Sequence, residues 1–180
     1  MQVTSTMAKA IDCRRKPDFT PLIRRKLEPA LAFPAKAMAY GVKNESKARA
    51  AYVQERRKSD ATVQCGEAGF CIAAKSPWLG ASPDGIVTEK DGTGLLEIKC
   101  PYVARNAVNA ADYTSSKSSC LSKTLLLKSS YAYYYQVQVA MHACEKEWCD
   151  FCVWAPKFLV IHRVKRDDTF LKEVVPKLEK

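Results

Sequence analysis

The chain has 180 residues, 47% of them apolar and 27% charged, and a formal charge of +10. That composition excludes disorder and fibrous repeats, and the length suits a single domain over residues 1–180 with its own core. No apolar run approaches the roughly 20 residues that span a bilayer, and "MQVTSTMAKAIDCRRK" lacks the apolar stretch of a secretory signal.

A reducing, intracellular setting is therefore expected, with no membrane partner, and the eight cysteines are read as thiols. The basic surplus favours a polyanionic partner, nucleic acid ahead of an anionic surface, although a lysine-rich soluble surface has the same composition. No clear basic targeting cluster stands out beyond the "RRK" triplets, such as those at 14–16 and 56–58.

In chain order, "VTSTMAKAIDC" opens with hydroxyl side chains suited to capping a short helix. "PDFTPLIRRKLEP" predicts a second short helix bounded by prolines. "PAKAMAYGVKNESKARAAYVQERRK" is the longest helical stretch. "ATVQCGEAGFCIAAK" predicts a hairpin turning at "GEAG", and "SPDGIVTEKDGTGLLEIKC" predicts another turning at "EKDGTG". "SSCLSKTLLLKSS" is ambiguous, with a small hairpin as one reading. "SYAYYYQVQVAMHACEK" predicts an amphipathic helix. Two strands, "EWCDFCVWAP" and "FLVIHRV", and a closing helix, "DDTFLKEVVPKLEK", complete the chain. Strands grouped centrally between helices predict an α/β (α+β) fold, a central mixed sheet flanked by helices.

Cys144, Cys149 and Cys152 are the tightest thiol cluster. On a strand, positions three apart face opposite sides, so Cys149 and Cys152 are expected to diverge rather than share a metal. His142 and His162 stand apart from any nucleophile pattern and are read as structural or surface residues.

The charged pair inside "LLEIKC" needs an explanation, because a buried carboxylate or ammonium is unfavourable unless paired. Glu97 and Lys99 are two apart and share one face of the strand, while Ile98 points to the other. Asp84, in the turn "SPDG", begins the partner strand and can reach Glu97. Two close carboxylates repel unless a cation lies between them, and hard oxygen donors suit Mg²⁺ or Mn²⁺. Lys99 beside them could orient water or offset charge on a phosphate. The spacing alone equally fits a β-turn followed by a solvated strand face. Glu45, in "NESKAR", reads alone as a solvated helix glutamate. Gln136, among tyrosines and valines, needs a partner if buried. The tyrosines 131, 133, 134 and 135 divide between core and surface, with base stacking as one use.

Taken together, "SPDG…LLEIKCPY" resembles the core of the PD-(D/E)XK nucleases, more narrowly the YqaJ-like viral recombinase family of the lambda exonuclease type. "AMAYGVKNESKARAAY", "SYAYYYQVQVAM", "EWCDFCVWAP" and "VTST" resemble family segments in the family's order. The resemblance implies a restriction-endonuclease-like core. Asp84, Glu97, the Ile98 carbonyl and Glu45 would hold the metal. Lys99 would be the catalytic lysine, Gln136 would orient water or that lysine, and Ser82 and Thr6 would hold a 5′ phosphate. It also implies a Mg²⁺-dependent exonuclease on double-stranded DNA ends, running 5′→3′ in recombination and repair, with Mn²⁺ able to substitute. A ring of three subunits and a single-strand-annealing partner belong to the same implication. So does a location in the cytoplasm, or in the nucleus of a eukaryote.

Where the family has a tryptophan and an arginine before its cap, this chain begins at Met1-Gln2, which implies a trimmed or lost element. Three other readings stand beside the exonuclease. They are an endonuclease with the same site, a catalytically silent DNA-binding module, and an iron–sulfur nuclease using the C-terminal cysteines.

Overall fold

The structure, a computed structural model, describes residues 3–12 and 36–179. The helix expected over "PDFTPLIRRKLEP" lies outside the described residues.

Five strands form the main sheet: β2 (Gln64–Gly66), β5 (Gly85–Glu89), β6 (Gly92–Lys99), β7 (Trp148–Ala155) and β8 (Phe158–Lys165). Their spatial order is β2-β5-β6-β7-β8. All neighbours are antiparallel except β6 and β7, which run parallel with Glu97 opposite Phe151 and Lys99 opposite Val153. A parallel pair needs a crossover. Here the chain between them includes α3 (Ala110–Thr114) and α4 (Ala132–Ala143). The sheet is mixed and helices cover it, as expected from the sequence.

A second sheet has the order β1-β4-β3, built from Val3–Thr4, Ser76–Ala81 and Cys71–Ala73. The first expected hairpin does not form. β2 pairs with β5 while β3 pairs with β4, so residues 67–70 carry the chain from one sheet to the other. Each three-residue strand gains more by extending the edge of a longer strand than by pairing with its short neighbour. The ring of Phe70 then lies against Gly80, leaving no room there for a Cβ. The second hairpin forms as expected, with Gly85 opposite Leu96 and Glu89 opposite Gly92. The ambiguous segment makes one antiparallel bridge, Leu121 to Leu127.

The strand period sorts the core into two layers. Leu95, Cys149, Phe151 and Val153 face α4, whereas Leu96, Ile98, Cys100 and Cys152 face α2 (Lys36–Arg57). Cys149 and Cys152 are therefore in different layers, both buried. His162 accepts the Leu127 backbone N–H at 3.0 Å, a structural role.

At the N-terminus the capping expectation fails. Thr4 precedes a single 3₁₀ turn (Ser5–Met7) and makes no side-chain cap; its hydroxyl meets that of Thr6 at 2.9 Å. The short α1 (Ala8–Asp12) follows. The helix α4 departs from its expected amphipathic character, because every residue from Gln136 to Met141 is buried. It lies between the sheets and is flanked by α1 and α5 (Asp168–Glu179), so it has no wet face there. Gln138 is satisfied in that setting: it donates to the Lys165 carbonyl at 2.8 Å and accepts from the Asp167 amide at 2.9 Å. The closing helix α5 is amphipathic, burying Leu171, Val174 and Leu178 at helical spacing.

Candidate active site

The strand β6 carries Glu97 and Lys99 on its α4 face, and Ile98 on the other, as the two-residue period requires. Glu97 is 3% exposed. Its Oε1 accepts from the Gln136 side-chain amide at 2.6 Å and from the Lys99 ammonium. Asp84 stands one residue before β5, and its Oδ2 accepts the Ile98 backbone N–H at 2.6 Å. This bond ties the turn "SPDG" to β6 at the level of Glu97.

The electrostatics follow from this crowding. Burial pushes the Glu97 carboxyl up to about 7; the Lys99 ammonium opposes the shift and the Asp84 carboxylate adds to it. Burial alone would lower Lys99, but the Glu97 carboxylate outweighs it and the ammonium is held above its ordinary value. Glu97 is therefore not on a solvated strand face.

A cleft of about 580 Å³ opens beside this group. Glu45 of α2, Asp84, Lys99 and Tyr133 line it. Glu45 is half-exposed and lies 3.5 Å from Arg49, one helical turn on. Thr6 and Ser82 are both exposed. Thr4 pairs with Gly80 in the parallel β1–β4 ladder, so Thr6 and Ser82 each stand two residues beyond that pair. Both are thus at the end of the small sheet from which the chain passes to Asp84.

A profile of the YqaJ-like viral recombinase domain matches residues 3–147. The chain belongs to the YqaJ-like viral recombinase family. An alkaline exonuclease from Laribacter hongkongensis superposes with a TM-score of 0.70 at 24% identity, over 99% of this chain and 84% of that one. In complex with dAMP, the same exonuclease gives 0.72 at 24% identity, over 98% and 84%. A phage-related exonuclease from Haemophilus somnus 129PT gives 0.63 at 8% identity, over 99% and 91%. At these identities the likeness is one of fold, the restriction-endonuclease-like architecture of exonucleases. The comparison with curated proteins gives no match.

In this YqaJ-like chain the expected residues divide into two groups. Asp84, Glu97, Ile98, Lys99 and Gln136 form one connected cluster, and Glu45 lines the same cleft as Asp84, Ile98 and Lys99. Ser82 and Thr6 stand at the edge, outside the cleft lining. Among the described residues no three His, Cys, Asp or Glu side chains converge tightly enough to hold an ion by themselves. The residues expected to hold a metal, Asp84, Glu97 and the Ile98 carbonyl, could offer two carboxylates and a carbonyl, a set that would suit a hard cation keeping several of its waters. One contact escaped the sequence: Lys99 Nζ lies 4.7 Å from the centroid of the Tyr133 ring. The available signal was the position of Tyr133, one turn before Gln136 on the same helix.

Proposed function

We propose that this chain is a metal-dependent exonuclease that hydrolyses phosphodiesters of double-stranded DNA, 5′→3′, in recombination and repair. One observation carries the reading. Asp84 and Lys99 line a single cleft, Asp84 is tied to the strand by the Ile98 amide, and Glu97 lies buried just behind them, bonded to Lys99 and held by Gln136 from the neighbouring helix. Family membership and the exonuclease folds support it. The relative solved with dAMP supports a nucleoside monophosphate as product.

Asp84, Glu97, the Ile98 carbonyl and Glu45 would hold Mg²⁺, or Mn²⁺ in its place. The bound cation would supply Lewis-acid charge to a phosphate and acidify water. The residues of the chain do the rest. Gln136 fixes the Glu97 carboxylate. Lys99 brings an ammonium to the cleft floor, where it offsets negative charge as it builds on the phosphate. Ser82 and Thr6 receive the terminal 5′ phosphate. The +10 charge holds the duplex backbone without reading bases, so binding weakens steeply with salt. The reading extends to a ring of three subunits, tested by the mass in solution, and to an annealing protein as partner.

The test compares linear duplex, with and without a 5′ phosphate, against closed circular duplex in Mg²⁺, for wild type and Lys99→Ala. Digestion of linear DNA alone, stimulated by the phosphate and lost in the variant, is the expected result. Cleavage of circles would move the assignment to an endonuclease. A folded wild type inert in Mg²⁺ and Mn²⁺ would leave only a DNA-binding module.

A further inference from the structure

We propose that Tyr133 is a positioning residue for Lys99, its ring holding the lysine ammonium at the cleft floor. The inference rests on the nuclease reading for its effect on rate, but the contact itself can be tested without activity.

The geometry begins with two periods. On β6, Glu97 and Lys99 are separated by about 6.6 Å of strand. On α4, Tyr133 and Gln136 are separated by about 4.5 Å of helix and share a face. The two pairs align: Gln136 donates to Glu97 at 2.6 Å, and the Tyr133 ring lies 4.7 Å from Lys99 Nζ. A single helix face thus touches both charged residues of the strand.

The ring is itself held in place. Its centroid is 5.1 Å from that of Tyr131 and 5.8 Å from that of Phe151, which lies opposite Glu97 on the adjoining strand. Three aromatic rings in contact leave little freedom to the middle one. Phe151 is fully buried, so the stack is anchored in the core rather than at the rim.

This arrangement answers a problem that the Glu97–Lys99 pair poses. A lysine has a long flexible stem, and one hydrogen bond to a carboxylate fixes its end only while that oxygen is free. Any cation or substrate that draws on Glu97 competes with Lys99 for it. An aromatic face attracts an ammonium by its quadrupole, requires no hydrogen bond, and acts more strongly where water is scarce. The side chain of Lys99 is 20% exposed, which is such a place. Tyr133 therefore keeps the ammonium at the floor when Glu97 is otherwise engaged.

The experiment uses the full chain as wild type, Tyr133→Leu and Tyr133→Phe. The first readout is NMR of the Lys99 ε-methylene in protein without metal or DNA. A lysine over a ring face is shifted upfield from the ordinary lysine position. The shift should be present in the wild type and Tyr133→Phe, and lost in Tyr133→Leu. The second is steady-state hydrolysis of linear duplex in Mg²⁺. Tyr133→Leu should lower kcat about tenfold with KM little changed, and Tyr133→Phe should recover most of the loss. An ordinary Lys99 shift in the wild type overturns the inference, whatever the variants do and even if Tyr133→Leu fails to fold. Equal loss in Phe and Leu, or full kcat in Leu, also overturns it. A wild type that shows the upfield shift but no hydrolysis would overturn the nuclease reading and leave the contact standing.

Discussion

Gln136 of α4 and Glu97 of β6 meet at 2.6 Å although 39 residues separate them in sequence. Gln136 is 8% exposed and Glu97 3%, so water offers neither a ready substitute partner. Buried polar groups need each other in such a place. Gln136→Ala should lower kcat on linear duplex by about 10²-fold, because Glu97 loses the group that orients it. Gln136→Glu should do at least as much damage, since it sets a second carboxylate against the first. Initial rates with circular dichroism as the folding control would check both. Near-wild-type rates in a folded Gln136→Ala protein would remove the residue from the site.

Glu97 makes the folded state sensitive to pH in a defined direction. Its carboxyl titrates near 7 in the fold and near 4.5 ordinarily, burial being the main cause. A group whose acid form is favoured by folding adds most stability below its unfolded pKa, and that contribution is lost as pH rises through its folded value. Between pH 4.5 and 7 the wild type should therefore lose stability relative to Glu97→Gln. Urea midpoints for the two proteins across that range would show it. Parallel curves would mean that Glu97 is not held protonated.

On the opposite face of the sheet, Asp150 is 1% exposed and collects three side chains. Tyr52 donates to it at 2.6 Å, Arg163 at 2.8 Å, and the Arg56 Nε lies 3.5 Å away. Removing one member of a buried ionic group strands the others. Asp150→Ala should destabilise the fold by about 3–5 kcal/mol, read from urea unfolding. A loss under about 1 kcal/mol would place the network with surface ion pairs.

Glu89 accepts from Arg163 at 2.6 and 3.0 Å and from Arg56 at 2.8 Å. The hydrogen bonds from Arg163 chiefly hold its carboxyl below the ordinary 4.5. The sign is opposite to that of Glu97: the stabilisation is fully present above pH 4.5 and is lost as pH falls through the folded value. Glu89→Gln should melt lower at neutral pH and lose less on acidification. Identical acid slopes in melting curves would refute this.

Much of the candidate site was legible from a single strand. With side chains alternating along an extended backbone, "LLEIKC" by itself determined that Glu97 and Lys99 share a face and that Ile98 opposes them. The same spacing fitted a solvated face equally well, and only the packed sheet decided that Glu97 is buried; the turn "SPDG" placed Asp84 at the head of the partner strand. The same period separated Cys149 from Cys152. Other relationships lay outside the reach of any local pattern. "ATVQCGEAGFCIAAK" has hairpin chemistry, yet β2 and β3 went to different sheets, because longer partner strands elsewhere offered more pairing. Helix α4 reads as amphipathic, yet it is buried on all sides where it carries Gln136, because the parallel β6–β7 crossover sets it between two sheets. Only that placement brought Gln136 to Glu97 and Tyr133 to Lys99. Local sequence sets which way a side chain points from its own element. The order in which strands are added to a sheet decides what it meets there, and that order is settled by burial summed over the whole chain.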